Sequence, residues 1–85
     1  MSNEYIKRTL DTVEKRLKFK IKGKVKLCIR DDILICDIYA VNSIVYRHTF
    51  SNISMKIDNG YDAEFITTAI EERYKEYIKN LFFNH

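Results

Sequence analysis

The chain has 85 residues, 46% of them apolar and 13% aromatic, enough for one hydrophobic core and too few for a second domain. No apolar run approaches the ~18 residues of a membrane span, and the opening Met1-Ser2-Asn3-Glu4-Tyr5 lacks the basic-then-apolar order of a secretion signal. Two cysteines, Cys28 and Cys36, make no disulfide framework, so a cytoplasmic setting is expected for a single compact domain over residues 1–85.

The first predicted element is a helix over Tyr5–Leu17, because Ile6, Leu10, Val13 and Leu17 build one apolar stripe. Ser2 or Asn3 is placed to cap its start. The period then changes to two. Basic side chains stand at positions 18, 20, 22, 24, 26 and 30 and apolar ones at 19, 21, 25, 27 and 29, the alternation of a half-buried strand. Gly23 falls on the apolar phase and packs nothing, so a bend or bulge is expected there and the firm strand is Lys24–Arg30. Asp31-Asp32 supplies a turn into a second strand, Ile33–Val41. With those aspartates as the loop, Ile29 faces Leu34, Leu27 faces Cys36 and Val25 faces Ile38, while Lys26 meets Asp37 on the other side.

A third strand, Ile44–Phe50, admits two registers. A two-residue loop, Asn42-Ser43, puts Arg47 on the core side. A three-residue loop, Val41-Asn42-Ser43, pairs Ala40 with Ile44, Ile38 with Tyr46, Asp37 with Arg47, Cys36 with His48 and Leu34 with Phe50. A one-residue slip moves every side chain to the other face, so the second register is expected. Ser51 or Asn52 can cap a short helical turn through Ile57 that stops at Asn59-Gly60. Asp62 caps a last helix whose stripe runs from Phe65 and Ile66 through Ile70, Tyr74 and Tyr77 to Leu81 and Phe82. The expected fold is α+β in two layers: a helix, a three-stranded antiparallel meander, a short helix and a long C-terminal helix, with both longer helices on the apolar sheet face.

Charge is segregated along the chain: residues 1–30 balance to +7 and residues 31–85 to −4, within a total of +3. Lys18, Lys20, Lys22, Lys24, Lys26 and Arg30 are therefore a candidate surface for a protein partner or for nucleic-acid phosphates. The bland reading is that these lysines protect an exposed sheet edge from further pairing. The run lacks the glycine-rich turns, stacking aromatics and helix-borne arginines of a sequence-reading module. The second candidate is the sheet face away from the helices. There Ile33, Ile35, Tyr39, Val45 and Arg47, with Cys28, form a protein-contact face that a homodimer would also use. The alternative is that one helix, or the C-terminal Phe82-Phe83, folds over it.

Cys36 and His48 fall opposite each other, but on the buried side and without an orienting group, which reads as a core pair rather than a thiolate–imidazole couple. Cys28 points away from Cys36, so no zinc site is expected. Neither a catalytic constellation nor a cofactor motif is found, and an enzyme is not expected.

The order α-β-β-β-α with a basic patch resembles a double-stranded-RNA-binding domain. Those domains carry a basic cluster where the last helix opens, whereas this helix opens Asp62-Ala63-Glu64-Phe65, so the resemblance stops at the order of elements. A second resemblance rests on Asp37-Ile38-Tyr39, on Val45-Tyr46-Arg47-His48-Thr49-Phe50-Ser51-Asn52-Ile53-Ser54, on Ile57-Asp58-Asn59-Gly60 and on Tyr74-Lys75-Glu76-Tyr77-Ile78. These stretches resemble small phage and prophage proteins of low-GC Gram-positive bacteria. What this implies is a setting: a phage-type accessory protein that binds and modulates a host protein, an inhibitor of CRISPR–Cas or another defence nuclease being one such class. The alternative is a nucleic-acid-binding accessory protein that uses the basic first strand.

Overall fold

The computed structural model describes residues 3–40 and 43–83. The expected cap at Ser2, the loop residues Val41 and Asn42, and His85 lie outside them.

The first helix, α1, is Asn3–Ile21, four residues longer at its C-terminus than the alternation predicts. Ile21 follows Leu17 by one helical turn and so continues the apolar stripe, and lysine tolerates a helix better than most strand formers do. Lys18 and Lys20 fall in the last turn, where their charge opposes the negative end of the helix dipole. Phe19, expected on the dry side of a strand, instead points outward and is 83% exposed. The helix ends at Lys22, whose left-handed φ of 57° lets its N–H donate to the Lys18 carbonyl at 3.0 Å. Gly23 makes the bend into β1, Lys24–Arg30.

The second strand, β2 (Ile33–Ala40), follows the Asp31-Asp32 turn. Both aspartates are left-handed, with φ of 54° and 60°. That is the signature of the hairpin turn whose twist matches the strands it joins. The β1–β2 register is the expected one, from Arg30 opposite Ile33 to Val25 opposite Ile38.

The third strand, β3 (Ser43–Phe50), completes a meander in the order β1-β2-β3. Leu34, Cys36, Asp37 and Ile38 face Phe50, His48, Arg47 and Tyr46 as expected. Beyond Ile38 the register shifts, so that Tyr39 faces Ile44 and Ala40 faces Ser43. The expected pairing of Ala40 with Ile44 therefore fails. A β-bulge at Val45 absorbs one residue, keeping the polar and apolar faces in phase while the ladder runs on to Ala40 and Ser43.

Two more helices follow, α2 (Ile53–Asp58) and α3 (Ala63–Phe83). Neither Ser51 nor Asn52 caps α2. Asn52 is itself left-handed and makes no side-chain cap bond. Asp32 takes over: its Oδ1 accepts from the Ser54 N–H at 3.2 Å and from the Ser54 hydroxyl at 2.6 Å, and its carbonyl accepts from the Ile53 N–H at 3.0 Å. Asp62 caps α3 as expected, accepting from the Phe65 N–H at 2.8 Å.

All three helices lie on one side of the sheet. Val13 and Leu17 of α1, Ile53 and Ile57 of α2, and Ile66 and Ile70 of α3 meet Val25, Leu34, Cys36 and Ile38 in a single core. Each aliphatic side chain sealed there contributes about 1.5–3 kcal/mol of hydrophobic stabilisation. A 3.6 Å ion pair from Lys20 to Glu71 ties α1 to α3. One polar atom in this region is unsatisfied, the buried Thr67 hydroxyl.

The open face of the sheet as candidate contact surface

Side chains directly opposite one another across strands point to the same side of a sheet. The register therefore writes the face turned away from the helices as rows: Lys24–Tyr39–Ile44, Lys26–Asp37–Arg47, Cys28–Ile35–Thr49 and Arg30–Ile33. Ile33, Ile35 and Tyr39 are half-buried, and none belongs to the core or packs against it. Phe82 does not fold over them; it is 75% exposed at the end of α3.

The centre of this face is an ion pair. Arg47 donates from Nε to Asp37 Oδ1 at 2.6 Å and from its terminal nitrogen to Oδ2 at 3.0 Å. This two-pronged geometry is the strong form of the interaction. The guanidinium stays largely exposed while the carboxylate is buried, so the fixed member is Asp37 and Arg47 folds down upon it. The hydrogen bond and charge of Asp37 raise the Arg47 pKa still further, leaving it permanently cationic. Lys26 lies opposite Asp37 in the register, yet both carboxylate oxygens are taken by Arg47, and no ion pair joins Lys26 to any acid among the described residues.

Val45 is not part of this surface. As the bulge residue it turns toward the helices and packs against the core. Ile44, 45% exposed, takes its place beside Tyr39. A bulge leaves only a faint trace in sequence; here it is two adjacent apolar residues, Ile44 and Val45, at the start of an otherwise alternating strand.

The basic run is divided rather than continuous. Lys18 and Lys20 ride on α1, where Lys18 pairs with Glu14 at 3.7 Å and Lys20 with Glu71 at 3.6 Å. Lys22 sits in the junction, and only Lys24, Lys26 and Arg30 share the open face of β1. The ridge expected along one strand is thus shortened to three cations, because the helix claims residues through Ile21.

The covered side holds Cys36 opposite His48. Burial, followed by the nearby Asp37 and Glu14 carboxylates, pushes the Cys36 thiol up to about 12. Burial and Arg73 lower the His48 pKa, and its Nδ1 lies 3.2 Å from the Tyr46 hydroxyl. A protonated thiol and a neutral imidazole are the reverse of an activated nucleophile. Tyr46 also stacks on Tyr74 and Tyr77 of α3, at centroid distances of 5.8 and 5.1 Å, an aromatic seam that the sequence shows only as part of the α3 stripe. Among the described residues no group of three or more His, Cys, Asp or Glu is arranged to hold a metal ion, and no helix is long and apolar enough to cross a membrane.

These features define a small two-layer α+β protein with helices on one face of a three-stranded antiparallel sheet and the other face open. No protein-family model matches the chain, and no curated protein or solved structure is significantly similar to it.

Proposed function

We propose that this chain is a non-enzymatic, cytoplasmic accessory protein that holds another protein against the open face of its sheet. The observation that carries the reading is the uncovered apolar set Ile33, Ile35, Tyr39 and Ile44 arranged around the Arg47–Asp37 pair. An apolar centre with a charged row through it is the composition of a contact surface, in which the apolar groups supply affinity and the ion pair supplies orientation. The narrower reading, a phage-type inhibitor of a host protein such as a CRISPR–Cas nuclease, rests on the sequence resemblance.

The test is to identify a partner by capture and then measure its affinity for Ile35→Asp and Tyr39→Asp, with Glu72→Lys on the exposed side of α3 as control. The two open-face substitutions should each weaken binding by roughly a hundredfold or more, the loss expected at a buried interface centre. Undiminished binding by both would remove the open face from consideration. Sedimentation at a mass of twice the monomer, abolished by the same substitutions, would identify the partner as a second copy. For the narrower reading, unchanged cleavage by a host defence nuclease at saturating protein is the adverse result.

A second reading has one observation in its favour: Lys24, Lys26 and Arg30 lie along one strand with no ion-pair partner among the described residues. Three cations against phosphates predict a slope of log affinity against log salt of about −2 to −3. A flat response excludes nucleic acid.

A further inference from the structure

The outer edge of β1 has a second property, separate from the open face. In a two-residue hairpin the residues flanking the turn exchange both ladder bonds, and alternate residues beyond them do the same. Arg30, Cys28, Lys26 and Lys24 therefore bond to β2, while Val25, Leu27 and Ile29 direct their N–H and C=O groups away from the sheet. The Leu27 N–H is met there by a side chain, Glu14 Oε1, at a long 3.4 Å. Between this edge and α1 lies a groove of about 640 Å³, with Ile6 and Leu10 on the helix side and Leu27 and Ile29 on the strand side. Ile29, placed on the dry flank by its sequence phase, is 42% exposed in it.

The groove has a chemical polarity across the strand. On the helix side Ile6 and Leu10 form its apolar floor, flanked by Lys7 and Asp11, whose opposite charges offset each other; its other acids, Glu14 and Asp32, are already engaged with Leu27 and Ser54. On the open-face side Lys24, Lys26 and Arg30 project at alternate positions with no acid paired to them among the described residues. Like charges opposite one another across strands repel, so a second copy of β1 is a poor occupant and so is any basic strand, while a neutral strand gains nothing from these cations. An acidic one is selected.

We propose that the β1 edge is a docking site for an extended polypeptide segment of alternating acidic and apolar residues. It adds to the sheet as a fourth strand, its acidic side chains beside Lys24, Lys26 and Arg30 and its apolar ones beneath α1 against Ile6 and Leu10. Backbone bonds supply affinity and the alternation supplies selectivity. The incoming strand replaces Glu14 at the Leu27 amide, and Glu14 keeps its partner Lys18.

The experiment titrates the intact protein with a fluorescein-labelled Glu-Val-Glu-Val-Glu-Val-Glu peptide, its Lys-for-Glu counterpart, and two N-methylated forms. One is methylated at the valine amides and the other at the glutamate amides. The acidic peptide should bind at least about tenfold more tightly than the basic one, a difference of about 1.4 kcal/mol. The amides of Val25, Leu27 and Ile29 should gain protection from hydrogen exchange. One methylation phase should abolish binding and the other spare it, valine for antiparallel addition and glutamate for parallel. Lys26→Glu combined with Arg30→Glu, both exposed positions, should invert the preference between the peptides. No binding of the acidic peptide, equal loss in both methylation phases, or binding without amide protection would each overturn strand addition. So would an oligonucleotide that competes while leaving those three amides unprotected, which would mark the cations as a phosphate ridge. Ile35→Asp lies on the middle strand and should leave peptide binding unchanged, which separates this site from the open face.

Discussion

The two faces of this sheet are made from alternate residues of the same three strands, yet they are held by different forces. On the covered face, Val25, Leu34, Cys36 and Ile38 are sealed beneath three helices, and close packing of apolar volume decides everything. On the open face, Ile33, Ile35, Tyr39 and Ile44 lie among Lys24, Lys26 and Arg30, and the one fixed feature is the Arg47–Asp37 pair. Stability is written on the first face, and the proposed recognition belongs to the second. The contrast yields expected outcomes of decreasing size.

Alkylation should separate the faces most sharply. Cys28 is exposed on the open side and should be accessible to iodoacetamide, whereas Cys36 is buried and held protonated. Its labelling must await opening of the core, which slows it by at least about a thousandfold for a domain of ordinary stability. Mass spectrometry under native and denaturing conditions distinguishes the two, and comparable rates would show that the core is not sealed.

Next come neighbouring truncations on β2. Leu34→Ala should cost about 2–5 kcal/mol by leaving a cavity in the core, while Ile35→Ala, one residue on, should cost less than about 1 kcal/mol. Urea unfolding measures both, and equal losses would mean that something covers the open face. In the helical layer, Thr67→Val replaces an unsatisfied buried hydroxyl with a methyl of the same shape and should gain about 1 kcal/mol.

The smallest effect is with pH. The His48 pKa lies below its ordinary 6.5, lowered by burial and then by Arg73, so the unfolded chain takes up a proton that the folded chain refuses. Stability from this group is complete above that value and declines as pH falls through it toward the folded pKa. Thermal unfolding should show a shallow loss between neutral pH and pH 5, and His48→Phe should remove part of it.

Much of this fold is legible in the sequence because the period-two pattern is strong where it counts. The alternation from Lys24 to Arg30 and the two-aspartate turn fix the first hairpin, and the demand that Arg47 leave the core fixes most of the second. Two features escape the pattern, for identifiable reasons. Residues 18–21 fit the strand period throughout and the helical stripe only at Ile21, and the packing of Ile21 against the core decides for the helix, a tertiary preference that leaves Phe19 exposed. The bulge at Val45 changes the phase at a single residue, too local for any periodicity to reveal, and it exchanges Val45 for Ile44 on the candidate surface. The groove beside β1 is formed where residues of α1 meet residues of β1 from a different part of the chain, and no residue pattern encodes that directly.

The bond from Asp32 to Ser54 reaches across 22 positions of the chain, and it bears on the order in which the molecule assembles. A helix of six residues is too short to nucleate by itself, and the residue preceding this one offers no side-chain cap of its own. Its starting signal is lent by the tip of the first hairpin. The β1–β2 turn must therefore be in place before α2 can persist, making that helix a follower in folding whose amides should be among the first to lose protection when the hairpin tip is loosened.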